Sequence, residues 1–218
     1  SVAIGYDSRI NSDKFAKTAA QVLAANGIKV YIFKELMPTP IVAYAVKTLG
    51  CSSGIVITAS HNPSKYNGYK CYDERGYQMT DEAAAKTLSY INKCDIFEDV
   101  KKVDFDEAVK NGQIEYIEDS FLDRYFELVA SRLVNPDAAA KSDLSVIYTP
   151  LNGTGNKPVR KILDMIGIKD VTVVPSQENP DGNFPTCSFP NPEIREAFNE
   201  ALKLAENKKA DLLLATDP

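Results

Sequence analysis

Short β-branched apolar runs alternate along this chain with segments of helical period, and that alternation admits few folds. Val2–Tyr6, Lys29–Phe33 and Gly54–Thr58 have strand length and near-continuous apolar character, as expected of strands buried on both faces. Between the first two, Phe15, Ala19, Val22 and Leu23 recur at helical spacing. Asn11 or Ser12 is placed to cap that helix and Gly27 to close it. Pro38-Thr39-Pro40 interrupts the chain, and Pro40 suits the first turn of a second helix ending near Gly50. Tyr69–Tyr72 reads as a fourth strand. Thr80 then caps a helix whose first turn carries Asp81 and Glu82, complementing its dipole.

The stretch Cys94–Gln113 is charged and poorly periodic, and reads as a short terminal element and a linker. Asp119–Leu133 places Phe121, Leu122, Tyr125, Leu128 and Val129 on one helical face. Asn135–Ser142 reads as a loop. The alternation then restarts: strand Leu144–Tyr148, helix Pro158–Ile166 stopped by Gly167, strand Val171–Val174. Asn191 with Pro192 opens a helix whose buried stripe is Ile194, Ala197, Phe198, Ala201, Leu202 and Ala205, and Leu212–Ala215 is the last strand. The expected fold class is α/β, as two consecutive α/β domains, residues 1–116 and 117–218, each a mixed sheet layered with helices.

Composition bears this out where it matters. The 218 residues are 44% hydrophobic and 25% charged, enough apolar content for a core in each half. A net charge of -5 argues against nucleic acid as the main partner. The four cysteines form no CxxC pair and there is a single histidine, so no Cys/His zinc site is readable. Reduced thiols in a cytoplasmic protein are the expectation. No signal peptide and no apolar run of bilayer-spanning length is present, so no membrane partner is expected. The sequence opens on a strand and ends just after another, the pattern expected of a fragment of a longer protein.

The most informative segment is the polar loop Thr58-Ala59-Ser60-His61-Asn62-Pro63-Ser64-Lys65-Tyr66-Asn67-Gly68-Tyr69-Lys70. It follows the carboxyl end of a strand, where α/β sheets place ligand sites. Asn62-Pro63 and Asn67-Gly68 are turn signals that fix such a loop. A serine hydroxyl, small neighbours and the charges of Lys65 and Lys70 suit an oxygen nucleophile that handles phosphate. Lysines among turn residues are also ordinary solvated surface, and residue types alone leave both readings open.

The string TASHNPSKYNGYK resembles the active-site serine loop of the α-D-phosphohexomutases, the phosphoglucomutase/phosphomannomutase family. Tyr148-Thr149-Pro150-Leu151-Asn152-Gly153-Thr154-Gly155 resembles the family's TPLHGTG segment, with asparagine in place of histidine. Pro180-Asp181-Gly182-Asn183-Phe184-Pro185-Thr186 and Phe189-Pro190-Asn191-Pro192-Glu193 resemble its PDPNFPT…PNPE segment. Ala215-Thr216-Asp217-Pro218 looks like the start of the metal loop. The resemblance implies that Ser60 is the phosphoserine. It would donate its phosphoryl group to a hexose phosphate substrate and take back the other from a bisphosphate intermediate, interconverting 1- and 6-phosphates of glucose or mannose.

The same resemblance implies Mg2+ held by Ser60 and Asp217, with further aspartates lying beyond Pro218, and glucose 1,6-bisphosphate as activator. His61 and Lys70 fall at positions that assist proton transfer or hold the reacting groups; His61 is equally readable as an orienting hydrogen-bond partner. Asn62 would orient the loop. Arg9, after the first strand, either faces the catalytic cleft or makes a structural ion pair with Asp7 or between domains. Asn152, Gly153 and Gly155 suggest a phosphate-cradling loop or, better, a tight turn. The chain would cover most of the first two of four domains and lack the loop that chooses the sugar, so it is expected to have no useful turnover by itself. A phosphopentomutase and a non-catalytic sugar-phosphate-binding protein of the same fold are the alternatives. A serine hydrolase is disfavoured because no G-x-S-x-G elbow and no separate histidine base exist.

Overall fold

The computed structural model describes residues 1–218. The elements in chain order are β1 (Val2–Tyr6), α1 (Ser12–Ala25), β2 (Val30–Ile32), α2 (Thr39–Thr48), β3 (Ser53–Ile57), β4 (Tyr69–Tyr72), α3 (Asp81–Ile91), α4 (Phe105–Lys110), β5 (Ile114–Tyr116), α5 (Asp119–Ala130), α6 (Pro136–Ala140), β6 (Ser145–Thr149), α7 (Asn156–Met165), β7 (Asp170–Val173), α8 (Pro175–Glu178), a 3₁₀ turn (Arg195–Phe198), α9 (Asn199–Asn207) and β8 (Leu212–Ala215). They fall into two compact units. The first comprises Ser1–Tyr6, Asn11–Thr58 and Gly68–Glu118; the second comprises Asp7–Ile10, Ala59–Asn67 and Asp119–Pro218.

The first unit is built on a five-stranded sheet of order β4-β3-β1-β2-β5. β1 pairs in parallel with β2 and β3, β5 extends β2 in parallel, and only β4 runs antiparallel, on β3. The sheet is therefore mixed, with β1 at its centre. Val2 and Ile4 of β1 pack with Val30, Ile32, Ile55 and Ile57 against Ala16, Ala20 and Ala24 of α1. Alanines every fourth residue let the helix lie close on the strands. α3 starts as its sequence requires, with Thr80 Oγ1 accepting from Ala83 N–H. Asn11 precedes α1 at φ 64° without a side-chain cap. An Asn tolerates the left-handed region and turns the chain into the helix by its backbone.

The second unit contains a three-stranded sheet of order β7-β6-β8. The expected mixed sheet holds for the first unit; these three strands are all parallel. Central β6 is buried along its whole length. Val146 and Tyr148 face one core with Leu163 and Ile168, while Ile147 faces another with Val174 and Ala201. Both faces are covered, so the strand reads as a continuous apolar run.

Three local readings change. The charged stretch read as a linker contains α4, whose Ala108 is buried in the first core, and leads straight into β5, whose Ile114 is buried there too. The loop read at Asn135–Ser142 contains the short helix α6. Asn191 does not cap a helix at Pro192: its Oδ1 accepts from Glu193 N–H, two residues on, a local turn, and the helix begins later through the 3₁₀ segment. None of the helices is long and apolar enough to cross a membrane.

Candidate functional site

The serine loop is organised around one buried arginine. Arg9 is 3% exposed. Its Nη1 donates to the carbonyls of Pro63 (3.0 Å) and Tyr66 (2.8 Å), and its Nη2 to those of Ser60 (2.5 Å) and Asn62. Four N–H groups thus meet four carbonyls of one loop. Nε faces Asp7 Oδ2 at 3.3 Å, an ion-pair contact, and the Arg9 backbone N–H donates to Asp7 Oδ1. Burial pulls the guanidinium pKa below its ordinary value, and the Asp7 and Asp217 charges oppose that pull. All four Nη hydrogens are spent on the loop, and Nε–H, buried without a hydrogen-bond acceptor, keeps only the ion-pair contact with Asp7. The sequence left Arg9 between a cleft-facing role and a structural ion pair; the geometry gives it the Asp7 pair and the serine loop together.

Within the loop, Asn62 N–H and Asn62 Nδ2 both donate to Ala59 O, at 3.1 and 3.0 Å, which closes a turn over Ser60 and His61. Ser60 has φ 54°, an uncommon conformation for a residue with a side chain, costing about 1–2 kcal/mol. Tyr66 N–H donates to Pro63 O, completing a second turn. The serine hydroxyl therefore sits on a backbone held from inside and displaced from its relaxed region.

Asp217, two residues past β8, meets the serine. Ser60 Oγ donates to Asp217 Oδ2, and His61 Nδ1 lies 3.1 Å from Asp217 Oδ1. The edge of the His61–Phe189 ring pair, at 5.6 Å and 80°, fixes the imidazole from another side. Asp217 reaches this place because Gly153 carries no side chain: a Cβ there would lie 2.0 Å from Pro218 Cα. The residues Pro150–Gly153 form a tight turn, closed by Gly153 N–H to Pro150 O, with Leu151 and Asn152 both at positive φ. That is the turn the sequence favoured over a phosphate cradle.

Ser60, His61, Asn62, Arg9 and Asp217 thus converge within the second unit. Lys70 belongs to the first, on β4 opposite Val56. Ser60 and Asp217 are two hard oxygen donors in contact, the chemistry that Mg2+ prefers. No group of three or more His, Cys, Asp or Glu side chains converges in the chain; Ser60 and Asp217 are the two oxygen donors it offers such an ion at this place. Sequence reasoning missed Phe184 and Phe189. The only signal was their place in the PDGNFPT and FPNPE strings, since aromatic residues in a turn otherwise read as core.

The sequence pattern of phosphoglucomutase/phosphomannomutase α/β/α domain I matches residues 1–96, and that of domain II matches residues 123–218. The chain is 39% identical to a phosphoglucomutase of Staphylococcus saprophyticus over all of its own length and 39% of that protein. It is 37% identical to a phosphoribomutase of Saccharomyces cerevisiae, covering 99% of this chain and 37% of the yeast protein. A solved Thermus thermophilus structure, assigned as a phosphomannomutase, superposes with a TM-score of 0.82 at 26% identity, over 99% of this chain and 46% of that one. The chain spans about two fifths of the length of the curated relatives it matches. Two consecutive family domains, a serine loop and an aspartate at its hydroxyl agree, and the chain belongs to the α-D-phosphohexomutase family of phosphoglucomutases and phosphomannomutases.

Proposed function

We propose that Ser60 carries the phosphoryl group in a phosphosugar mutase, moving it between the 1-position and the terminal hydroxyl of a sugar monophosphate. The observation that carries this reading is the strained Ser60, its hydroxyl against the Asp217 carboxylate while Arg9 holds the surrounding carbonyls. In the forward half-reaction the bond from Ser60 Oγ to phosphorus breaks and one from a sugar oxygen forms; the sugar hydroxyl gives its proton to a base and the released Ser60 Oγ takes one up. In the return half-reaction the other phosphoryl group passes to Ser60 Oγ, whose proton leaves, and the sugar oxygen it departs from is protonated. His61 and Lys70 are the candidate proton carriers of this chain, and Asn62 and Arg9 orient the loop. Names of relatives span glucose and ribose phosphates at similar identity, so the substrate class is a hexose phosphate with a pentose phosphate as the alternative.

Charge supports a metal in this reading. A phosphoserine carries nearly two negative charges, and Asp217 already touches the Ser60 oxygen. Arg9 gives all four Nη hydrogens to the loop carbonyls and pairs its charge with Asp7, so the like charges need another cation. Mg2+ would be held by the phosphoserine oxygen and Asp217, and when bound it would neutralise the transferring group.

The test is made on the intact gene product. After incubation with glucose 1,6-bisphosphate and Mg2+, intact-mass analysis should show one added phosphate, mapped to Ser60. Ser60→Ala should lack it and lose turnover of glucose 1-phosphate by a factor on the order of 10⁴ or more, as for removal of other enzymatic nucleophiles. A Ser60→Ala protein with undiminished turnover would end the reading.

A further inference from the structure

We propose that Phe184 is a positioning residue for Ser60, acting through Arg9. The inference takes Ser60 as the phosphoryl carrier, but its first readout does not need turnover. Arg9 Cζ lies over the Phe184 ring, 5.1 Å from the centroid. Both side chains are out of water: Phe184 is 2% exposed and Arg9 3%. The four Nη hydrogens of the guanidinium are spent on loop carbonyls, and Nε makes the ion-pair contact with Asp7 without a hydrogen bond. A desolvated cation whose edge is turned to these groups is further stabilised by the negative face of an aromatic ring, which also excludes water from the carbonyls it holds.

Phe184 is placed there at the expense of its own backbone. It has φ 49°, a region that residues with a Cβ avoid and keep only where their surroundings over-determine them. Those surroundings are visible. Phe184 N–H donates to Asp181 O, and Asn183 donates twice to Asp181 Oδ1. Gly182 lies flat on the arginine segment: a Cβ there would be 2.7 Å from Ser8 O and 2.6 Å from Ile10 N. The turn 181–184 is therefore seated on residues 8–10, its aromatic ring aimed at the side chain that holds four carbonyls of the serine loop. A phenylalanine that only filled a core would need neither the strained φ nor the glycine contact.

The test is hydrogen exchange in the intact gene product, read at the loop amides of Asn62 and Tyr66. In Phe184→Leu these should exchange about tenfold faster, the factor expected for losing a desolvated cation–π contact, while β6 amides stay unchanged. Turnover should fall about tenfold in kcat with KM within about twofold. Arg9→Lys should loosen the same amides, and adding Phe184→Leu to it should bring no further acceleration, because both act through one contact. If Phe184→Leu does not fold, pentafluorophenylalanine at 184 keeps the shape and inverts the ring's charge distribution; the same selective acceleration is expected. Unchanged loop exchange in either variant overturns the proposal, as does acceleration of β6 by the same factor. Retained turnover in Ser60→Ala would instead sink the carrier assignment, and the exchange data would still decide this one.

Discussion

Two loops that follow strands carry non-glycine residues at positive φ within the second unit, and they are held by opposite means. Ala59–Asn67, after β3, is held by a charge: one guanidinium takes four carbonyls and Asp7 balances it. Pro150–Gly155, after β6, is held by neutral groups. Asn152 Nδ2 donates to the carbonyls of Ser176 and Asn179, Thr149 Oγ1 accepts from Leu151 N–H and donates to Gln177 Oε1, and Gln177 Nε2 donates to Thr186 Oγ1. The charged arrangement concentrates its stabilisation in one residue, and the neutral one spreads it over several. The loop bearing the nucleophile thus depends mainly on a group that a distant segment can grip, whereas the second loop serves to place Asp217 through the glycine contact with Pro218.

The comparison breaks most visibly at Arg9. Arg9→Met should lower stability by about 3–5 kcal/mol, because it leaves a buried carboxylate at Asp7 and four converging carbonyls uncompensated. Denaturant titration with circular dichroism measures this, and a loss under about 1 kcal/mol would show that the loop does not depend on the charge. Gln177→Leu strikes the neutral loop. Gln177 is 1% exposed, and its replacement takes the acceptor from the fully buried Thr149 hydroxyl, for an expected loss of about 1–3 kcal/mol. The same titration should place this variant between wild type and Arg9→Met. A larger loss than at Arg9 would reverse the assignment of which loop concentrates its stabilisation.

How far the sequence displayed these features follows from the range of the interactions. β1, β3, β6 and β8 are legible because buried parallel strands are continuous apolar runs. α4 and β5 are not: β5 has three residues, only Ile114 of them buried, and α4 buries only Ala108 among charges. Asn191 misleads because Asn followed by Pro suits both a helix cap and a turn, and the Glu193 N–H selects the turn. At the site, Ser60 and Asn62 announce themselves by turn chemistry and by the string around them. Arg9 was visible as a residue, but its engagement of four carbonyls far along the chain has no local signature. Phe184 was visible only inside a string, since nothing near it in sequence says that its ring meets a cation.

The gentlest probe of the neutral loop is Tyr148, whose hydroxyl lies 2.8 Å from Thr216 Oγ1. Burial pushes its pKa up to about 12, against a partial lowering by Thr216. The native state therefore holds the phenolic proton after the unfolded chain, near pH 10, has released it. The stabilisation is complete below pH 10 and disappears as pH rises through 10 to 12, a difference of roughly 2–3 kcal/mol across that window. Tyr148→Phe removes the titrating group, so its stability should decline less steeply across that window. At pH 7 the variant should lose only about 0.5–1.5 kcal/mol, the net worth of one hydrogen bond. Parallel denaturant titrations at pH 7, 10 and 11 check both parts. If wild type and Tyr148→Phe decline with the same slope above pH 10, the buried phenol is not what couples this loop to alkali, and the Thr216 contact beside Asp217 contributes packing alone.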